Sequence, residues 1–143
     1  MNVNQIRIEL LEQHAQLRAL IEQVRVETSG TSAATLEASP GLSLWTERLA
    51  SALEAHNSRE ESLLDGILAT VDACGPARAE IMTERHAAEH RELTQELVDA
   101  ASNPSRMRQL LDRILMHMDY EEQAFLNEDV LREDSIVINA FGG

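Results

Sequence analysis

Residues 42–71, LSLWTERLASALEAHNSREESLLDGILATV, decide the fold. Apolar residues recur in steps of three and four at Leu42, Trp45, Leu49, Leu53, Leu63, Ile67 and Val71, which is the repeat of one face of a helix. Inside that stripe, where more leucine is expected, stand His56 and Glu60. A helix that turns an imidazole and a carboxylate toward its own core must give them partners there, because a buried carboxylate without a cation is strongly penalised.

The same pattern extends to both sides. Val3, Leu10, His14, Leu17, Ile21 and Val24 make a stripe over a first helix from Val3 to about Glu27. The segment from Thr28 to Gly41 is rich in small, turn-forming residues, and Ser39-Pro40 suits an N-cap followed by a first helical residue. Gly75-Pro76 is expected to end the second helix. A third then runs from Pro76 to about Ala101, with Ala79, Met82, His86, His90, Leu93 and Leu97 inward. The segment SNPS breaks it, and a fourth helix starts near Ser105 with Met107, Leu110, Leu111, Ile114, Leu115, Met118 and Phe125 on its apolar face. It is expected to fray between Asn127 and Arg132, leaving a short C-terminal tail, EDSIVINAFGG. Four amphipathic helices with short connections predict an all-α, up-down-up-down antiparallel four-helix bundle, one domain over residues 1–143.

Composition removes several classes of function. The formal charge is −13 with no basic block, so neither nucleic acid nor an anionic membrane surface is an expected partner. No apolar run approaches the roughly 20 residues of a membrane span, and the N-terminus MNVNQIRIELLEQH has no signal-peptide character, so a cytoplasmic location is expected. Cys74 is the only cysteine, which rules out an intrachain disulfide or a thiolate metal cluster within one chain. A metal site here must use nitrogen and oxygen.

All five histidines, His14, His56, His86, His90 and His117, lie on or beside a core stripe. They also share a depth. His86 and His90 average 15 residues before a turn centred at Asn103, and His117 with Glu121 averages 16 after it, so both lie about 22 to 24 Å from that turn. Across a turn at Gly75 the His56–Glu60 pair averages 17 residues before and the His86–His90 pair 13 after, a mismatch of about one helical turn. Any one histidine on an apolar face is more often a hydrogen-bonded core residue than a ligand. Five at one depth, accompanied by acids on the same stripes, predict a metal centre. On the fourth helix both Glu121 and Glu122 lie within about 50° of the middle of the apolar face. One of them is expected to serve with Glu60, and Glu121 is favoured.

Five imidazoles and two carboxylates exceed what one tetrahedral zinc needs and suit a pair of octahedral ions. If both carboxylates and an oxo or hydroxo group bridge, three histidines complete one metal and two leave the other a single vacancy. Nitrogen-rich, carboxylate-bridged coordination favours iron. A ferritin-type centre needs Glu-x-x-His, but the residues three before the histidines are Leu11, Leu53, Thr83, Ala87 and Ile114.

His14, the H-x-x-x-E of His56 to Glu60, the H-x-x-x-H of His86 to His90 and the H-x-x-x-E-E of His117 to Glu122 together resemble the hemerythrin, or HHE cation-binding, family. The resemblance implies a non-haem centre of two iron ions (Fe2+/Fe3+) with an oxo or hydroxo bridge. His86, His90 and His117 would hold the saturated iron, His14 and His56 the open one, and Glu60 would bridge. The second bridge falls on Glu122 if the chain follows the oxygen carriers, which have an acid five residues after the last histidine. It falls on Glu121 if the chain follows the broader bacterial branch. The implied function is binding of dioxygen for storage, delivery or sensing. The alternative is peroxide or nitric oxide defence, or iron handling, at the same centre, and the expectation is a binding protein rather than an enzyme. Leu10, Leu17, Leu53, Leu63, Ile114 and Met118, each within a turn of a ligand, would keep water away. Tyr120, Glu84 and Glu89 are candidate partners for the outer imidazole nitrogens. Trp45 is about 16 Å along the helix from His56 and reads as core filler.

Overall fold

The computed structural model describes residues 2–29, 40–71 and 75–131. Most of the expected first connection, Cys74 and the tail from Glu133 lie outside the described residues, as do the side chains of Val71 and Met82. The chain is an all-α four-helix bundle. Helix α1 is Val3–Ser29 and α2, the longest, is Pro40–Val71. The third arm is one continuous helical run of α3, Gly75–Ile81, a π-helical turn, Met82–His86, α4, Ala87–Asp99, and a closing 3-10 turn, Ala100–Ser102. The fourth arm is α5, Pro104–Ala124.

The expected boundary at Gly75-Pro76 is corrected. Helix α2 ends at Val71, and Gly75 already opens α3, with Pro76 in its first turn where a missing N–H costs nothing. The midpoint between Val71 and Gly75 therefore falls 15 residues from the mean of His56 and Glu60 and 15 from the mean of His86 and His90. The expected one-turn mismatch in depth disappears. At the other connection Asn103 caps α5, its side chain accepting a hydrogen bond from the Arg106 backbone N–H at 3.1 Å, with Pro104 in the first turn. That cap fixes where α5 begins, and so the height of His117 and Glu121.

Cross-helix pairs show the sense of packing. Arg7 reaches the Leu126 carbonyl at 3.0 Å while Arg25 reaches Asp112 at 3.0 Å, so α1 and α5 run antiparallel. Glu89 meets His117 at 3.3 Å and Glu92 meets Arg113 at 3.7 Å, the same sense for α4 and α5. Near the start of α2 the Glu27 carboxylate lies over Gly41, where a Cβ would stand 2.7 Å from its Oε2, the movable end of that side chain. Glycine suits that position for lack of a side chain.

The apolar core is in two parts. One packs Leu17, Ile21 and Val24 against Leu42, Leu49, Leu53, Leu93, Leu97 and the Met107–Met118 face of α5. The other packs Val3, Ile6 and Leu10 against Leu64, Leu68, Phe125, Leu126, Val130 and Leu131. The histidines lie between them along every helix. Beyond Glu60 the buried positions of α2 are Leu64 and Leu68, and the expected Leu63 and Ile67 are only partly buried. The inward line continues in steps of four from His56 through Glu60. Trp45 is partly buried against the first cluster with the Arg48 guanidinium 4.8 Å over its ring, as filler should be.

Leu49 is fully buried in the first cluster, well away from the histidines. Leu49→Ala is expected to cost about 2 to 5 kcal/mol through lost contacts and a residual cavity. Urea unfolding of the metal-free protein checks this, and a loss below about 1 kcal/mol would mean the cluster is loosely packed.

Candidate metal centre

Seven side chains from the four arms meet between the two apolar clusters: His14 from α1, His56 and Glu60 from α2, His86 from the π-helical turn, His90 from α4, and His117 and Glu121 from α5. All seven are buried. They fall into two groups that share Glu121, namely His86, His90, His117 and Glu121, and His14, His56, Glu60 and Glu121, with one donor atom from each residue within 4.8 Å of the others in its group.

Every imidazole presents Nε2 to this centre, and each carboxylate divides its oxygens between the groups. Glu60 Oε2 lies 3.2 Å from His56 and 3.7 Å from His14, while its Oε1 lies 3.3 Å from His86 and 3.6 Å from His90. Glu121 Oε1 lies 3.3 Å from His14, while its Oε2 lies 2.7 Å from His86, 3.1 Å from His90 and 3.5 Å from His117. The Nε2 atoms of His14 and His56 are 3.1 Å apart. Two donors at right angles, each about 2.1 Å from one ion, are separated by about 3 Å, and the contacts of 2.7 to 3.7 Å here are of that order.

The donors are also incomplete as they stand. Both oxygens of Glu60, Oε1 of Glu121 and Nε2 of His117 are buried without a hydrogen-bond partner among the described residues. Such atoms are costly unless something else satisfies them. A pair of cations would do so, and the residues fit that group.

Protonation answers the same need when no metal is bound. Burial alone would lower the His14 and His86 pKa values, but contacts with Glu121 and Glu60 outweigh it and raise both from 6.5 to about 9. Burial pushes the Glu60 carboxyl up, as does Glu121, yet the nearby His14 and His56 imidazoles hold it below the usual range. Burial likewise opposes ionisation of Glu121, and contacts with Glu60, His117, His14 and His86 hold it well below that range. Two imidazolium ions thus neutralise two buried carboxylates.

The π-helical turn carries His86 into this set. A wide turn of this kind accommodates one extra residue and often marks a functional position. The His86 ring stacks on His117 at 4.4 Å and meets the edge of His90 at 4.3 Å.

Glu122, the other candidate acid, is at the rim. It is partly exposed and ion-paired with Arg18, and its nearest approach to a histidine is 3.6 Å from the outer Nδ1 of His14. Of the candidate outer partners, Glu89 lies 3.3 Å from His117 Nδ1, Tyr120 lies 6.0 Å from His86 by ring centres, and Glu84 points to solvent. Two outer partners were not foreseen. Gln13 Oε1 is 2.8 Å from His56 Nδ1, and Glu61 Oε2 is 3.4 Å from His90 Nδ1. Their only trace in the sequence is adjacency to His14 and Glu60. Among the expected water-excluding residues, Leu10, Leu17, Leu53, Ile114 and Met118 are fully buried and Leu63 partly so.

No helix among the described residues is long and apolar enough to cross a membrane. No curated protein and no solved structure matches the chain. The model of the hemerythrin HHE cation-binding domain does match it over residues 6–128, a span that takes in all seven buried donors, and the chain belongs to that family.

Proposed function

We propose that the protein binds dioxygen at a pair of iron ions held by His14, His56, Glu60, His86, His90, His117 and Glu121, with Glu60 and Glu121 bridging. The observation that carries this reading is the split of five nitrogens into three and two around two carboxylates that each face both groups. Three imidazoles in one group and two in the other would leave one of two bound ions with fewer protein donors. Iron bound there would supply one-electron redox change and a site for a small neutral ligand.

The chain's own residues do the rest. Leu10, Leu53, Ile114 and Met118 exclude bulk water from the donors. Gln13 and Glu61 accept hydrogen bonds from the outer nitrogens of His56 and His90 and hold those rings with Nε2 inward, and the Glu89 carboxylate lies 3.3 Å from His117 Nδ1. Peroxide and nitric oxide chemistry draw on the same donors, so reversibility is the deciding property.

Protein loaded anaerobically with ferrous iron should contain two irons per chain. In air it should develop a visible charge-transfer absorption that fades when oxygen is withdrawn. One tightly held zinc per chain, or a colour change that does not reverse, would overturn the proposal.

A further inference from the structure

The outer nitrogens of the histidines meet side chains of unequal charge, and the inequality follows the division into two groups. In the three-histidine group His90 Nδ1 faces Glu61 at 3.4 Å and His117 Nδ1 faces Glu89 at 3.3 Å. Neither carboxylate is paired with an arginine among the described residues. Arg113, which stands beside Glu89 at the surface, is engaged by Glu92 and Glu96. In the two-histidine group His56 Nδ1 faces the neutral amide of Gln13 at 2.8 Å. His14 Nδ1 faces Glu122 at 3.6 Å, but both oxygens of that carboxylate are gripped by the Arg18 guanidinium. Outside the inner donors, the three-histidine group faces two carboxylates that have no arginine ion pair among the described residues, with Arg91 lining the same pocket as Glu61, while the two-histidine group faces a neutral amide and an arginine-paired carboxylate.

An anion behind an imidazole makes the inner nitrogen a better donor and stabilises positive charge on whatever that nitrogen holds. Glu60 and Glu121 are shared, so they cannot distinguish the two positions. The outer partners can. We propose that Glu61 and Glu89 make the three-histidine group the tight, electron-rich metal position. Gln13 and the Arg18–Glu122 pair keep the two-histidine group weaker and more electrophilic. This rests on the dinuclear reading above.

The number of nitrogens alone would also favour the three-histidine group, so the test uses changes that leave every ligand in place. Metal-free full-length protein is titrated anaerobically with Co2+ and followed by its visible d–d absorption. The native chain should fill in two steps. Gln13→Glu should tighten the second step about tenfold and leave the first unmoved, since outer-shell partners of metal-bound histidines are worth about 10- to 100-fold in affinity. Arg18→Gln, which frees the charge of Glu122 from a partly exposed position, should tighten the same step independently of whether Gln13→Glu folds well. The double change Glu61→Gln with Glu89→Gln should weaken the first step by about tenfold or more and spare the second. Two cobalt ions bound with neither Gln13→Glu nor Arg18→Gln moving the second step would overturn the inference and leave the dinuclear reading standing. Only one cobalt per chain would overturn both.

Discussion

A Glu121→Ala protein is expected to lose metal affinity at both positions, by on the order of 100-fold or more, whereas Glu122→Ala should weaken one position by no more than about tenfold. Adjacent acids in the sequence differ this much because of where α5 points them. Glu121 is fully buried, with one oxygen 3.3 Å from His14 and the other 2.7 Å from His86 and 3.1 Å from His90. In the proposed dinuclear centre, removing it would take an oxygen from each metal position and halve the negative charge set against two dications. Outer-shell losses already reach about 100-fold in metal sites, and a shared inner donor should cost no less. Glu122 approaches only the outer face of His14 and already has Arg18 as its counterion. Glu121→Gln serves as the control, since it keeps the shape and removes the charge. Metal content after dialysis and a Co2+ titration would measure the difference. Equal losses from Glu121→Ala and Glu122→Ala would mean that the second bridge is misassigned.

The four arms and the meeting of the five histidines were legible because both depend on period and depth. A helical stripe reports which side faces inward, and equal distance from a turn reports which residues face each other. That reasoning erred at Gly75-Pro76, because Gly-Pro serves as readily to open a helix as to close one, and a two-residue error in the midpoint, counted once on each side, makes the apparent one-turn mismatch between the His56–Glu60 and His86–His90 pairs. It also placed Leu63 and Ile67 inward where Leu64 and Leu68 are buried, since a stripe continued in mixed steps of three and four fits either pair over so short a stretch. The π-helical turn has no signature of its own in the sequence. The partners of the outer nitrogens were the least legible part. Gln13 meets His56 and Glu61 meets His90 only once two helices are packed at a particular rotation, and a single-helix pattern carries no information about that.

Raising the pH should destabilise the metal-free protein and strengthen its hold on metal. His14 and His86 have pKa values raised from 6.5 to about 9. Their stabilising contribution is fully present below 6.5, declines as the pH rises, and is gone above about 9. Glu60 and Glu121 are held below 4.5, so their contribution is present above that value and is lost as the pH falls through their folded-state range. The metal-free chain should therefore be most stable between about 4.5 and 6.5. Its urea midpoint should be lower at pH 9.5 than at pH 6. A cation entering the centre must displace the protons on His14 and His86. Affinity at either position should accordingly climb about tenfold per pH unit between 6.5 and 9 for each imidazole that must deprotonate. His14 belongs to the two-histidine group and His86 to the three-histidine group, so both steps of a Co2+ titration should show the slope. Calorimetry at pH 7 in buffers of different ionisation heat should register proton release on filling, with the protons of His14 and His86 contributing to it. A metal-free protein as stable at pH 9.5 as at pH 6, with metal affinity flat over the same range, would mean that the two imidazoles are already neutral. The buried carboxylates would then be balanced in some other way.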